Sequence, residues 1–295
     1  MSVSPLYTIH QYREDIYKVV AFKRRLDPDA LLLHDREDDQ HYDAKLDSNF
    51  SRARSMVLQY ALCNPWDYFF TGTLDEAKQD RFNLDVFASR LMQFIRDKRK
   101  AYQAKFQVLL VPEHHKDGAW HIHGLVYGLP LSALIPFWCM RQLGANVPQK
   151  LIEGGFLNWP DYLDKFGFCS LAPIKDPVAT AFYISKYVSK DPSRRAGDLG
   201  KHLYFHSRPL KTAKKAADVY YPNFGLDRLC TEKYDFCNVG MVENAKWWFP
   251  YAWDGADYPL EDLIPSPLVE PQVSPETLEP PPEVWEQLSF AGCLR

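Results

Sequence analysis

The 295-residue chain has no run of about 18 apolar residues, so a membrane-spanning helix is not expected and no membrane partner is implied. Its first residues, MSVSPLYTIHQYRED, bring acids early and no apolar segment, so they do not read as a secretory signal. The cysteines, Cys63, Cys139, Cys169, Cys230, Cys237 and Cys293, form no C-x-x-C pair. Neither a zinc ribbon nor a disulfide framework is therefore indicated, and reduced thiols in a cytoplasm are the plain reading. A G-x-x-x-x-G-K-[ST] phosphate loop is missing too, so no ATPase motor is visible. There is no long internal repeat.

Positive charge is scarce overall but unevenly placed. The net charge is −3. From Trp253 onward nine acids stand against the single base Arg295, and without that tail 34 basic residues face 29 acidic ones. Between Pro177 and Ala216, Lys186, Lys190, Arg194, Arg195, Lys201, Arg208, Lys211, Lys214 and Lys215 face only Asp191 and Asp198. A local basic cluster is what a phosphate backbone requires, although many such clusters are only solvated surface.

Hydrophobic periodicity divides the chain. Residues 1–64 read as a helical region, through YREDIYKVVAFKRR and NFSRARSMVLQYAL. DYFFTGTLD, KFQVLLVPE and AWHIHGLVYG read as strands, with an Asp-Gly turn joining the last two. LDVFASRLMQFIRDKRKAY is an amphipathic helix, LSALIPFWCMRQL reads as a helix interrupted at Pro136, and HLYFHS is a short strand. A further helix begins with Asp176 as N-cap and Pro177 at its first position, and ends before Pro192. This order predicts an α+β fold with a mostly antiparallel sheet flanked by helices. The expected core domain is 65–216, followed by an aromatic extension over 217–252, read as core packing rather than base stacking. The acidic, proline-rich tail over 253–295 reads as disordered or only locally ordered.

Two constellations carry chemistry. In a strand, residues two apart share a face, so His121 and His123 point the same way. Folding the hairpin about Asp117-Gly118 puts Glu113 opposite or diagonal to His121. Two imidazoles and one carboxylate would then converge as a three-ligand metal site with open positions. Zinc fits the imidazoles; Mg²⁺ or Mn²⁺ fits the carboxylate and phosphate oxygens. His114 or His115, in the turn, could replace Glu113 or face solvent.

The second is AFYISKYVSK, Ala181 to Lys190. On a helix Tyr183, Lys186, Tyr187 and Lys190 occupy one face, while Ala181, Ile184 and Val188 form an apolar stripe suited to packing on the sheet. The tyrosines need not be the buried face and could be surface groups over lysine stems. They could also be nucleophiles, since a tyrosine hydroxyl can attack a phosphodiester covalently while a lysine offsets developing charge.

HIH, FFTGTLD with Thr71 and Thr73, and YISKYVSKD together resemble motifs 2, 1 and 3 of the HUH endonucleases. The match, over Asp67 to Asp191, is most similar to rolling-circle replication initiators, including the two-tyrosine type of small single-stranded DNA phages. Glu113 falls where geminivirus-type initiators carry a third metal ligand. The resemblance implies a central antiparallel sheet of RRM or ferredoxin-like type and a divalent metal at Glu113, His121 and His123. It implies tyrosine-mediated, origin-specific nicking and rejoining through a 5′-phosphotyrosine, with Tyr187 fitting both the one- and the two-tyrosine schemes and Tyr183 only the second. The partners it implies are single-stranded origin DNA, a separate helicase and the DNA polymerase of a bacterial host. A two-tyrosine transposase, a non-catalytic RRM-like nucleic-acid binder and a water-activating hydrolase are the rival readings. The relaxase pattern is disfavoured, because GLVYG after His123 holds no third histidine.

Overall fold

A computed structural model describes residues 5–23, 38–115, 117–188, 202–220, 224–234, 237–243, 266–268 and 275–279. In chain order the first elements are β1 Tyr7–Gln11, β2 Tyr17–Phe22, α1 Asp38–Cys63, β3 Tyr68–Gly72, α2 Leu84–Ala101, β4 Gln107–His114 and β5 Trp120–Tyr127. A 3₁₀ turn at Leu131–Ala133 precedes β6 Ile135–Pro136, α3 Phe137–Gln142, α4 Gln149–Glu153, β7 Leu157–Asn158, α5 Pro160–Lys165, β8 Cys169–Pro173 and α6 Pro177–Lys186. The last elements are β9 Phe205–His206, β10 Lys214–Val219, α7 Phe224–Leu229, β11 Glu232–Lys233, β12 Cys237–Glu243, β13 Ser266–Pro267 and α8 Pro275–Leu278. The fold is α+β, with antiparallel sheets flanked by helices. Among the described residues no helix is long and apolar enough to cross a membrane.

The chain divides into two compact units, residues 1–41 with 211–270, and residues 42–210 with 271–295. The first holds a sheet in the order β10-β1-β2-β12-β11, with β13 paired to β12. This corrects the helical expectation for the N-terminal region, which holds only as far as α1. Ile16, Val19 and Val20 have helical spacing, but Tyr17, Val19 and Ala21 alternate with Lys18, Val20 and Phe22 at the strand period. Pairing with β1 and β12 decides it, and Tyr17, Val19 and Ala21 are buried. Leu226, Leu229, Cys230 and Val242, from the aromatic extension, join that core. Gly240 admits the close approach of α7, since a Cβ there would stand 1.8 Å from the Leu229 carbonyl oxygen.

The second unit holds the sheet β6-β7-β8-β3-β5-β4-β9. Strand alternation gives it two different faces. One carries Phe70, Val108, Leu110, Ile122, Val126, Cys169 and Leu171, packed with Leu84, Phe87, Leu91, Phe94 and Ile95 of α2. That helix is capped by Asn83, whose side chain accepts from the Val86 N–H, and ends in Lys98, Arg99 and Lys100, which suit the negative end of its dipole. The other face carries Phe69, Thr71, Val111, Glu113, His121, His123 and Ser170. LSALIPFWCMRQL does not form one helix: the α-helical part starts only after Pro136, whose ring fits the position before a helix but not its interior.

Asp176 caps α6 as the sequence predicts, accepting from the Ala179 N–H at 2.9 Å, and Pro177 is the first helical residue. Asp176→Ala removes one satisfied N–H at this end and should lower unfolding free energy by about 1 kcal/mol. Chemical denaturation checks this; an unchanged midpoint would show that the cap contributes nothing.

Candidate functional site

The site is built on the β4–β5 hairpin. Its turn uses Gly118 at φ +83°, a conformation open to glycine at no steric cost. The register sets Glu113 opposite His121, Val111 opposite His123 and His114 opposite Trp120. Glu113, His121 and His123 therefore share a face, as the spacing predicts. His114 is on the reverse face, its ring 3.6 Å from that of Trp120. His115 stacks on His121 at 4.7 Å, and its Nδ1 lies 3.1 Å from Asp117 Oδ1.

His123 Nε2 lies 2.8 Å from Glu113 Oε2. Burial above all, then the neighbouring His123 and His115, lowers the His121 pKa from 6.5 to about 3. His121 is thus neutral, the form in which imidazole binds a metal. The donor types and the shared face suit a divalent cation. As the side chains lie, however, no three His, Cys, Asp or Glu groups among the described residues are disposed to hold one ion. Glu113 bonds His123 directly instead, so a shared ion requires Glu113 to release Nε2.

The histidine strand sits between β3 and β4, and across β5, β3 and β8 the register aligns His123, Thr71 and Ser170. His123 Nδ1, Thr71 Oγ1 and Ser170 Oγ are all buried without a hydrogen-bond partner. Three orphaned polar atoms in one row mark a place built for something polar. Thr73, the other threonine of its motif, donates instead to the Phe168 carbonyl at 3.1 Å, a contact within the scaffold.

Helix α6 brings its tyrosines to this face. The Tyr187 ring stacks on that of His123, centroids 4.1 Å apart and planes at 24°. The Tyr183 ring packs on Phe69 at 5.6 Å. The two hydroxyl oxygens are 2.9 Å apart. Ala181, Ile184 and Val188 are buried as expected, but Tyr187 is buried with them, at 2 % exposure, and is no surface group. The helix turns it inward because Tyr187 is the C-cap, and His123 offers it a flat ring. Lys186 is half-buried in the last turn. Lys190 lies outside the described residues, as do Arg194, Arg195 and Lys201 of the basic cluster. Of the rest, Arg208 belongs to the second unit and Lys211, Lys214 and Lys215 to the first.

One site residue was not foreseen. Glu279, directly after α8, places Oε1 2.7 Å from the Tyr183 hydroxyl and also within hydrogen-bond reach of the Tyr187 hydroxyl. The same oxygen is 3.7 Å from His123 Nδ1. Burial, then the charge and hydrogen bond of Glu279, then Glu113, push the Tyr183 pKa well above the usual phenol value. No sequence signal marked Glu279, which stands among many acids in a tail without periodicity. Ser170 was missed because β8 was not read as a strand.

His121 also gives a pH signature. Its folded pKa, about 3, lies below the unfolded 6.5, so between these values the unfolded chain binds the proton and the folded chain does not. This contribution is fully present above pH 6.5 and is lost as pH falls toward 3. His121→Gln should therefore narrow the difference in denaturation midpoint between neutral and mildly acid buffer. An identical pH dependence in wild type and variant would overturn it.

Residues 67–192, which contain β3 to α6 and every site residue named above except Glu279, match the family model of the replication-associated protein ORF2/gene 2 protein. No curated protein and no solved structure matches the chain. Over that segment the chain is similar to a replication-associated protein family, which supports its resemblance to rolling-circle replication initiators.

Proposed function

We propose that the protein initiates rolling-circle DNA replication by nicking and rejoining one strand at an origin, with tyrosine as nucleophile. One observation carries this: two phenol oxygens lie 2.9 Å apart beside a strand bearing a carboxylate and two histidines. A divalent cation, Mg²⁺ or Mn²⁺, held by Glu113, His121 and His123 would make the phosphorus more electrophilic and favour departure of the leaving oxygen. The stack on His123 orients the Tyr187 ring, and Lys186, one turn from Tyr183, offsets charge as it develops on the phosphoryl oxygens.

In the first step a tyrosine oxygen forms a bond to phosphorus and the bond to the 3′ oxygen breaks. The phenol loses its proton and the 3′ oxygen gains one. Rejoining is the reverse attack by a 3′ hydroxyl, and because the phosphotyrosyl bond keeps the phosphodiester energy, no ATP is needed. Tyr187 is the first nucleophile and Tyr183 its alternate. Origin DNA is the substrate, and a separate helicase and a host polymerase extend the displaced state.

The test is a denaturing protein gel after incubation with Mn²⁺ and single-stranded DNA from the replicon that encodes the chain. A covalent band is expected that disappears with chelator. The Tyr183→Phe/Tyr187→Phe double variant should reduce it roughly a thousandfold or more. Tyr187→Phe alone should cost more than Tyr183→Phe. Cleavage without a band would replace tyrosine attack by water hydrolysis, and DNA binding with neither would leave a non-catalytic binder.

A further inference from the structure

The proposed nucleophile is covered. Tyr187 is 2 % exposed and His123 3 %, yet attack needs a DNA phosphorus brought to about 3–3.5 Å from the phenol oxygen. What stands at both hydroxyls is a carboxylate of the same chain. Glu279 Oε1 accepts a hydrogen bond from Tyr183 at 2.7 Å and also meets the Tyr187 hydroxyl. A carboxylate offers these donors what a non-bridging phosphate oxygen would offer, a charged acceptor.

The way Glu279 is held suits a reversible occupant. Helix α8, Pro275–Leu278, is four residues long and packs against β8. Leu278, 4 % exposed, is its buried apolar anchor. Beneath lies the row in which His123 Nδ1, Thr71 Oγ1 and Ser170 Oγ have no hydrogen-bond partner. Buried polar groups are normally satisfied, so this seat is incompletely filled. The segment also belongs to the stretch in which nine acids face one base, the charge sign of DNA itself.

We propose that the segment Pro275–Glu279 is an internal competitor of single-stranded DNA, with Glu279 standing where the scissile phosphate binds. The resting enzyme is closed by its own acidic tail and opens when DNA displaces α8. This rests on the strand-nicking reading of the same site.

The test uses the full-length chain, Glu279→Ala and, to loosen the anchor, Leu278→Ala. Binding of a fluorescent single-stranded oligonucleotide is read by anisotropy in chelator, and covalent adduct formation in Mn²⁺. If about nine molecules in ten are closed at rest, opening should tighten apparent DNA binding about tenfold. Both variants should bind more tightly and form adduct faster. A synthetic peptide spanning residues 271–283 should compete DNA off the Glu279→Ala chain. Wild-type affinity and rate in both variants would overturn the inference. So would loss of adduct with unchanged DNA affinity, because Glu279 would then serve the reaction rather than block it. If no chain forms adduct, the nicking reading falls, and the anisotropy comparison still decides whether the tail excludes DNA.

Discussion

The pairing of β5 between β3 and β4 is the constraint on which the second unit depends. Strand side chains alternate, so one register decides two things together. With Glu113 opposite His121, the even-numbered residues Ile122 and Val126 enter the core over α2, while His121 and His123 face α6. A slip of one residue would bury the histidines among Phe87, Leu91 and Phe94 and expose the isoleucine. The apolar half of HIHGLVY therefore holds the polar half in place. Gly124 tightens this pairing further, since a Cβ there would lie 2.8 Å from the Leu109 carbonyl oxygen.

Much of this was legible from local pattern. The Asp-Gly turn and the parity of Glu113, His121 and His123 fix a hairpin without knowledge of the rest. Asp176-Pro177 fixes the start of α6 by capping chemistry, and the long apolar stripe of α2 is unambiguous over its length. The hidden parts depend on distant partners. β2 has both helical and strand spacing, and only pairing with β12, more than two hundred residues away, selects the strand. β8 is short and lacks alternation, because Cys169, Ser170, Leu171 and Ala172 are all buried.

The same distinction separates the two tyrosines from the carboxylate they meet. Helical spacing places Tyr183 and Tyr187 on neighbouring turns, and that needs only the chain between them. Which of them is covered depends on His123, a residue of another strand, and on Glu279, from another part of the chain. A helical wheel shows which residues are neighbours, but not what lies over them. The apolar stripe of α6 and its tyrosine face are both used in packing, so this helix has no plain solvent side among Phe182, Tyr183, Ile184 and Tyr187.

The 2.9 Å between the tyrosine oxygens has a further consequence for how DNA ends are handled. A phosphodiester is tetrahedral, charged and wider than that gap, so two of them cannot sit side by side on these rings without forcing the turn of α6 apart. If both residues serve the reaction, crowding makes them mutually exclusive carriers. A second strand end can be taken up only as the first is handed on. The helix would then keep count of broken strands by geometry, holding one end at a time.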